Sequence, residues 1–362
     1  MKLLVFAAIP PPVHGQNVMV AAMLDGLRAR SEFEVFHVNP QLSATAADIG
    51  RWRPGKLVSL LRACGRALAL RARHGPMSLY YVPAPGKRAA LYRDWLVMLL
   101  CRPFFSRVIF HWHAVGLGDW LTRRATGPER WLTKLLLGRV ALSLVLAPEL
   151  AEDAAVLRPR RTLVVPNGIP DPVSGSAEGT PKLPSARCEL LFLGAGSHEK
   201  GLFRTVAAVN AANARKPGGF RLTFAGAFVS KADETAFRAA AAYSDGAIRH
   251  AGFADETAKK HLFAHSDAFV FPTTYPHEGQ PLVLLEAMAH GLKIVASRWR
   301  AIPGMLPADG VWLVDPNVPE ELPNALLAAA DAPADPMVPR RHFLAHFTLE
   351  KHVDRLAEAL LS

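Results

Sequence analysis

The sequence predicts an α/β fold: two doubly wound parallel-sheet domains facing each other across a cleft. Three observations predict it. At about 150 residues per domain, the 362 residues make two domains. Short apolar runs alternate with amphipathic stretches, the pattern of a parallel sheet covered by helices on both faces. The alternation stops at residues 172–185, rich in Pro, Gly and Ser, and then restarts. The expected division is an N-terminal domain over 1–170, a linker over 171–186, a second domain over 187–345 and a final helix over 346–362.

The elements follow in order. Lys2 precedes the apolar run 3–9, which three prolines, Pro10 to Pro12, end at once. With no small-residue cleavage site behind it, this run reads as a buried first strand over 3–8, not as a leader peptide. Further strands are predicted at 33–38, 79–82, 108–113, 142–147 and 164–166, with helices at 17–30, 57–71, 92–102 and 131–138. After the linker come strands at 189–194, 221–225, 248–250, 268–272, 294–297 and 311–314. Helices at 202–214, 231–242, 256–264 and 282–290 separate them, and an amphipathic helix over 348–361 closes the chain. In paired sheets of this kind, ligands bind outside the carboxyl ends of the strands.

Half the residues are hydrophobic and a fifth are charged, a globular soluble composition. No run of about 20 uncharged apolar residues occurs, so no membrane-spanning helix is expected. Cys64, Cys101 and Cys188 have neither pairing nor zinc spacing and read as buried thiols in a reducing, cytoplasmic setting. The charge is uneven. Residues 1–150 hold 20 Lys/Arg against 8 Asp/Glu, and the remainder 22 against 23. Such a basic half attracts a phosphorylated partner or an anionic membrane surface. A nucleic-acid-binding protein is a remote alternative at pI 9.9, but no binding motif supports it, and no nucleic acid is expected as a partner.

The segment with most chemistry runs PTTYPHEGQPLVLLEAMAHG, Pro272 to Gly291. A strand ends at Pro272, a loop follows, and a helix can start at Pro281 and close at Gly291. The amides of Gly279 and Gln280 lie at the helix N-terminus, which favours an anion such as a diphosphate. Glu286 stands among Leu282, Val283, Leu284, Leu285, Ala287 and Met288 on a helix apolar nearly all round. A buried carboxylate there needs a partner: ribose hydroxyls, or an internal Lys or Arg. Glu278 in the loop could accept hydrogen bonds from sugar hydroxyls.

The Glu-x7-Glu spacing within EGQPLVLLEAMAHG resembles the donor-site motif of glycosyltransferase family 4, retaining enzymes of the two-domain GT-B fold. AHSDAFVFP, GFADE, KIVAS, VVPNGIP and FTLEKHVDRLAEAL are similar to the family's surrounding elements. The resemblance is strong over residues 160–362 and weaker before them. It implies a donor domain over 187–345, an acceptor-side domain over 1–170, and a last helix that returns towards the latter. It implies that Glu286 binds the nucleotide ribose, that Glu278 contacts the donor sugar, and that Lys200 in GSHEKGL neutralises the diphosphate. Many members carry an arginine where this chain has Ala195, so one cation is missing, and His198 is a candidate to help. IPPPVHGQNVMV resembles the loop after the first strand, with Gly15 and Gln16 at the start of the first helix. VIFHWHA ends a strand, and alternation puts His111 and His113 on one face. A family histidine often stands there, and His113, nearer the carboxyl end, is favoured over His111 as the one at the reacting centre.

The implied reaction moves a hexosyl group from a nucleotide-diphosphate sugar, a substrate and not a cofactor, to a glycan acceptor in polysaccharide synthesis. In many such enzymes the acceptor is lipid-linked, for instance on a polyprenyl diphosphate. No enzymic nucleophile is marked, so a front-face retaining mechanism is expected. The sequence has no Asp-x-Asp triplet, in keeping with metal-independent chemistry, and His261 and His265 have no evident third metal ligand. Arg51, Arg53, Lys56, Arg62, Arg66, Arg71 and Arg73, interleaved with Leu57, Leu60, Leu61, Leu68 and Leu70, read as a basic amphipathic region for anionic lipid. Peripheral attachment to the inner face of the cell membrane is therefore expected. A hydrolysing nucleotide-sugar 2-epimerase is the alternative enzyme. It needs further carboxylates at the sugar, and no clear set is present.

Overall fold

The computed structural model describes residues 1–11, 15–41, 54–174, 187–333 and 335–362. Most of the expected linker, together with Arg51 and Arg53, lies outside the described residues. The chain forms two units. The first comprises Met1–Ile169, His277–Gln280 and Leu349–Ser362, and the second Pro170–Pro276 and Pro281–Thr348.

In the first unit β1 (Lys2–Phe6), α1 (Gly15–Arg28), β2 (Glu34–Val38), α2 (Pro54–His74), β3 (Ser78–Tyr81), α3 (Arg88–Cys101) and β4 (Arg107–Trp112) follow one another. Then come α4 (Leu117–Arg123), α5 (Gly127–Leu137), β5 (Leu142–Val145), α6 (Ala151–Ala155) and β6 (Thr162–Val164). The six strands pair in parallel in the order β2-β1-β3-β4-β5-β6. β1, β3 and β5 are buried nearly throughout, as strands covered on both faces must be. The start of α5 shows why periodicity alone set it four residues late. Thr126 and Glu129 form a capping box, with Thr126 accepting from the Glu129 amide and Glu129 from the Thr126 amide.

The second unit holds β7 (Cys188–Leu193), α7 (Leu202–Arg215), β8 (Phe220–Ala225), α8 (Lys231–Ala242), β9 (Ile248–His250), α9 (Glu256–Ala264) and β10 (Ala268–Phe271). After them come α10 (Leu282–Ala289), β11 (Lys293–Ser297), α11 (Ile302–Met305), β12 (Val311–Val314), α12 (Glu321–Asp331) and α13 (Met337–His346). Its strands also pair in parallel, in the order β12-β11-β10-β7-β8-β9. Two six-stranded parallel sheets flanked by helices are the fold class the sequence predicts. α12 and α13 are not among the predicted helices. Each carries a proline, Pro323 and Pro339, that reads as a breaker, yet both sit in the first helical turn, where no intrahelical N–H is lost.

The last helix, α14 (Leu349–Leu361), lies in the first unit. Leu356, Ala357 and Leu360 join the core made by Val20, Met23 and Leu27 of α1. Gly26 is there because a methyl group at that position would lie 2.4 Å from Val353. Leu349 N–H donates to Ile169 O at 2.8 Å, and Arg107 to Leu360 O at 2.7 Å. Cys64 and Cys101 are buried free thiols; Cys188, expected buried as well, is only half-buried at the first residue of β7.

Candidate functional site

Counted within its own unit, the second sheet reads 3-2-1-4-5-6, with β7 and β10 side by side at the point where the strand order reverses. Ligands of such sheets bind beyond the carboxyl ends of those two strands. Two segments leave there: residues 194–201 after β7, and 272–281 after β10. Gly201, with φ +88°, caps α7, and a Cβ on it would fall 2.3 Å from Pro272 O. Only glycine permits both the left-handed conformation and that approach. The two segments are laced together. Thr274 N–H donates to Glu199 O at 2.7 Å, and Ser297 Oγ fixes Thr273 O at 2.6 Å.

This lacing places Lys200. Its ammonium lies 4.6 Å from the centre of the Tyr275 ring and 5.7 Å from that of Phe271, in cation–π contact with both. Trp299 Nε1 donates to Tyr275 O at 2.9 Å and steadies that loop. His198, the candidate substitute for a missing cation, is exposed and stacks on Phe203 with ring centres 4.0 Å apart. A cation that the sequence reading passed over stands closer to the loop: Arg204 donates to Thr274 Oγ1 at 3.2 Å. Its signal was its position in the first turn of the helix that follows Lys200.

Glu286 lies on α10, whose Leu284, Leu285, Ala287 and Met288 are buried. Gly291, at φ +68°, ends this helix. Of the two partners open to Glu286 in the sequence, the structure shows the internal cation: Lys259 Nζ lies 2.5 Å from Glu286 Oε1. Lys259 also meets Glu256 at 2.7 Å. Burial pushes the Glu286 carboxyl above its ordinary range, and the Lys259 ammonium works against that shift. Burial disfavours the Lys259 cation too, but Glu286 and Glu256 outweigh it and hold Lys259 above its ordinary value. The pair joins α9 to α10 across 27 residues of sequence, which is why no local pattern revealed it.

Residues His277–Gln280 belong to the first unit. A Cβ on Gly279 would fall 2.6 Å from His113 O, so a side chain is excluded there. His277 Nδ1 donates to Val115 O at 2.8 Å. Gln280 Oε1 accepts from the Asn167 amide at 2.6 Å, which ties the side chain of Gln280 to the NGIP segment. Glu278 is buried, 7% exposed. Gly15 is the exposed first residue of α1 and Gln16 is half-buried, beyond the carboxyl end of β1, where the first sheet reverses its order between β1 and β3.

β4 delivers the two histidines. His111 is fully buried, with Nδ1 bonded to the Tyr80 hydroxyl, and His113 follows with ring centres 4.3 Å apart. A third, His352 of α14, stacks 6.1 Å from His111 and donates from Nδ1 to Pro166 O at 2.6 Å. Both ring nitrogens of His113, and Nε2 of His111 and of His352, have no hydrogen-bond partner among the described residues. Burial, then the charge of its neighbour His352, lowers His113 to about 3. Burial also lowers His111 and His352. All three are neutral at pH 7. His352 could not be found from sequence, where it is one polar residue of an amphipathic helix.

Residues 187–331 match a family model described as Glycosyl transferases group 1. Among solved structures, the chain is similar to a sucrose-phosphate synthase from Thermosynechococcus elongatus, at 18% identity over 100% of this chain and 98% of that one, with a TM-score of 0.75. It is similar to HepE from Anabaena in complex with UDP and glucose, at 16% identity over 100% and 99% of the two chains and a TM-score of 0.71. The lipopolysaccharide outer core galactosyltransferase WaaB matches at 12% identity over 100% and 99%, with a TM-score of 0.70. At these identities the shared property is the fold. No curated protein matches the chain by sequence.

Proposed function

We propose, from the premise that residues 187–331 belong to the group 1 glycosyl transferases and that the chain has the GT-B fold, that this protein transfers a hexosyl group from a nucleoside-diphosphate sugar to a glycan acceptor. The observation that carries the reading is the pairing of Lys200 and Glu286 with the two strands at the switch point of the second sheet. Lys200 follows β7 and stabilises the departing diphosphate; α10, which follows β10, presents Glu286 to the ribose. The amides of Gly279 and Gln280, just before α10, favour the same anion. Glu278 takes hydroxyls of the donor sugar. His113 serves the reacting centre as a neutral hydrogen-bonding group, Gly15 and Gln16 line the path of the substrates, and none of these steps requires a metal.

In this mechanism the bond from anomeric carbon to phosphate oxygen breaks as the acceptor oxygen bonds to that carbon from the same face. The acceptor proton passes to the leaving phosphate oxygen, so configuration is retained. The protein supplies orientation and charge. HepE, with bound UDP and glucose, shows that a protein of this fold accommodates such a pair. Calorimetry against GDP-mannose, UDP-glucose, UDP-galactose and UDP-N-acetylglucosamine, with product analysis, tests the reading. One nucleotide class should bind, and turnover should need an acceptor. Release of an altered free sugar without acceptor would instead favour the epimerase.

The acceptor is proposed to be lipid-linked, with the enzyme seated on the anionic cytoplasmic face of the membrane. Among the described residues no helix is long and apolar enough to cross a membrane. α2, α3 and α5 together carry nine Lys/Arg against two acids, Asp94 and Glu129, and both acids are paired with arginines. On α2 Leu60 and Ala63 turn into the core, while Leu57, Val58 and Leu61 are exposed beside exposed Arg62 and Arg66. Trp131 on α5, 65% exposed between Arg130 and Lys134, is the aromatic anchor of the same layer. The wild-type protein should sediment with phosphatidylglycerol vesicles in low salt and be released by high salt. Arg62→Glu with Arg66→Glu should abolish sedimentation; unchanged sedimentation would overturn the assignment.

A further inference from the structure

The Glu286–Lys259 pair is arranged for more than holding two helices together. α9 begins at the Asp255 cap, whose Oδ1 accepts from the Ala258 amide at 2.8 Å, and Lys259, in its first turns, meets Glu286 of α10. The side chains of Lys259 and Glu286 are 18% and 17% exposed, so each is largely shielded yet still reached by solvent. Only Oε1 of Glu286 is taken up by the ammonium.

The other charged groups on elements packed against α10 are engaged elsewhere. Lys293 of β11 donates to Ala329 O and Ala332 O. On α13, Arg340 pairs with Asp171, Arg341 with Asp335, and His342 bonds Met305 O beside the ring of His346. His290, at the end of α10, stacks on Phe263. Glu256 of α9 pairs with Lys259, and its charge also repels Glu286 and adds to the upward push on that carboxyl. Among the described residues, Lys259 is the cation bonded to this carboxylate.

We propose that Lys259 is a positioning residue for the donor: its ammonium holds Glu286 by Oε1 and leaves Oε2 as the acceptor offered to the ribose hydroxyls. The assignment rests on the glycosyl-transfer reading above. Without Lys259, Glu286 would lose both its fixed orientation and the charge that opposes its protonation in a shielded place. The first loss lowers affinity at every pH. The second adds a pH dependence, because Glu286 would take up a proton at a higher pH than in the wild type.

The test is calorimetric binding of UDP and of GDP from pH 5.5 to 8.5. Wild type, Lys259→Met, Lys259→Arg, Glu286→Gln and the Lys259→Met/Glu286→Gln double variant would be compared. Lys259→Met should bind about tenfold more weakly at pH 8. It should weaken further towards pH 6, and more steeply than the wild type. Lys259→Arg should restore most of the affinity and the wild-type profile. In the Glu286→Gln background Lys259→Met should have no added effect, since the lysine acts through the carboxylate. The double variant buries no unpaired charge, so it reports even if Lys259→Met alone folds poorly. Equal losses at every pH, or losses that add to those of Glu286→Gln, overturn the assignment while leaving the glycosyl-transfer reading intact. A wild-type protein that binds neither nucleotide overturns both.

Discussion

The carboxyl-end residues of the second unit and the histidines of the first are built on opposite electrostatic plans. Lys200, Lys259 and Glu286 are charged groups, each held against a ring or an opposite charge. His111, His113 and His352 are neutral, buried and left with open ring nitrogens. A fixed cation and a fixed carboxylate suit a substrate that arrives with charge and a diol. Neutral imidazoles with free nitrogens suit a place where hydrogen bonds must form without adding charge. The difference predicts that changes in the second unit will strike function first, and that changes among the histidines will show first in stability against pH.

The largest effect should come from the charged plan. Glu286→Ala and Lys200→Ala are each expected to lower transfer by about 10²–10³-fold with the circular dichroism spectrum unchanged. Near-normal turnover in both would break the comparison at its stronger end.

The next effect belongs to the histidines. His113 is lowered to about 3 in the folded protein, below its ordinary value of 6.5. Its contribution to stability is therefore whole above pH 6.5 and is lost progressively as pH falls towards 3. The unfolding free energy should drop between pH 6.5 and 5, and His113→Phe should flatten that slope by about 1.4 kcal/mol per pH unit. Denaturant titrations at a series of pH values measure it; an unchanged slope would mean that His113 is not held neutral. The smallest effect should be that of Arg204→Ala, a rise in donor KM of about 3–10-fold with kcat little changed, from loss of one charge-assisted contact near the loop.

The two plans were not equally legible. The strand–loop–helix from β10 to α10 could be read almost residue by residue, because Pro281, the apolar run and Gly291 are local signals. Both sheets followed from alternation in the same way. What escaped was everything fixed by distant parts of the chain. Lys259 meets Glu286 only because α9 and α10 pack together, and His352 reaches His111 only because α14 lies in the first unit. α12 and α13 escaped for a local reason, a proline tolerated in the first turn. The outward apolar residues of α2 could not be told from its inward ones, since both follow helical spacing and only burial separates Leu61 from Leu60.

The order of strands in the second sheet has a consequence in time. β7 pairs on one side with β8, its neighbour in the chain, and on the other with β10, where Ala268 faces Leu190. Joining β7 to β10 must close a loop of some 75 residues, and α7, β8, α8, β9 and α9 lie inside it. The place that holds Lys200 beside Tyr275 is therefore expected to form late in folding, after the half-sheet β7-β8-β9. Pulsed hydrogen exchange during refolding should protect the amides of β8 before those of β10; the reverse order would rule this sequence out. A chain released from synthesis short of residue 271 would have the lysine and the beginnings of a sheet, with no facing strand to aim it.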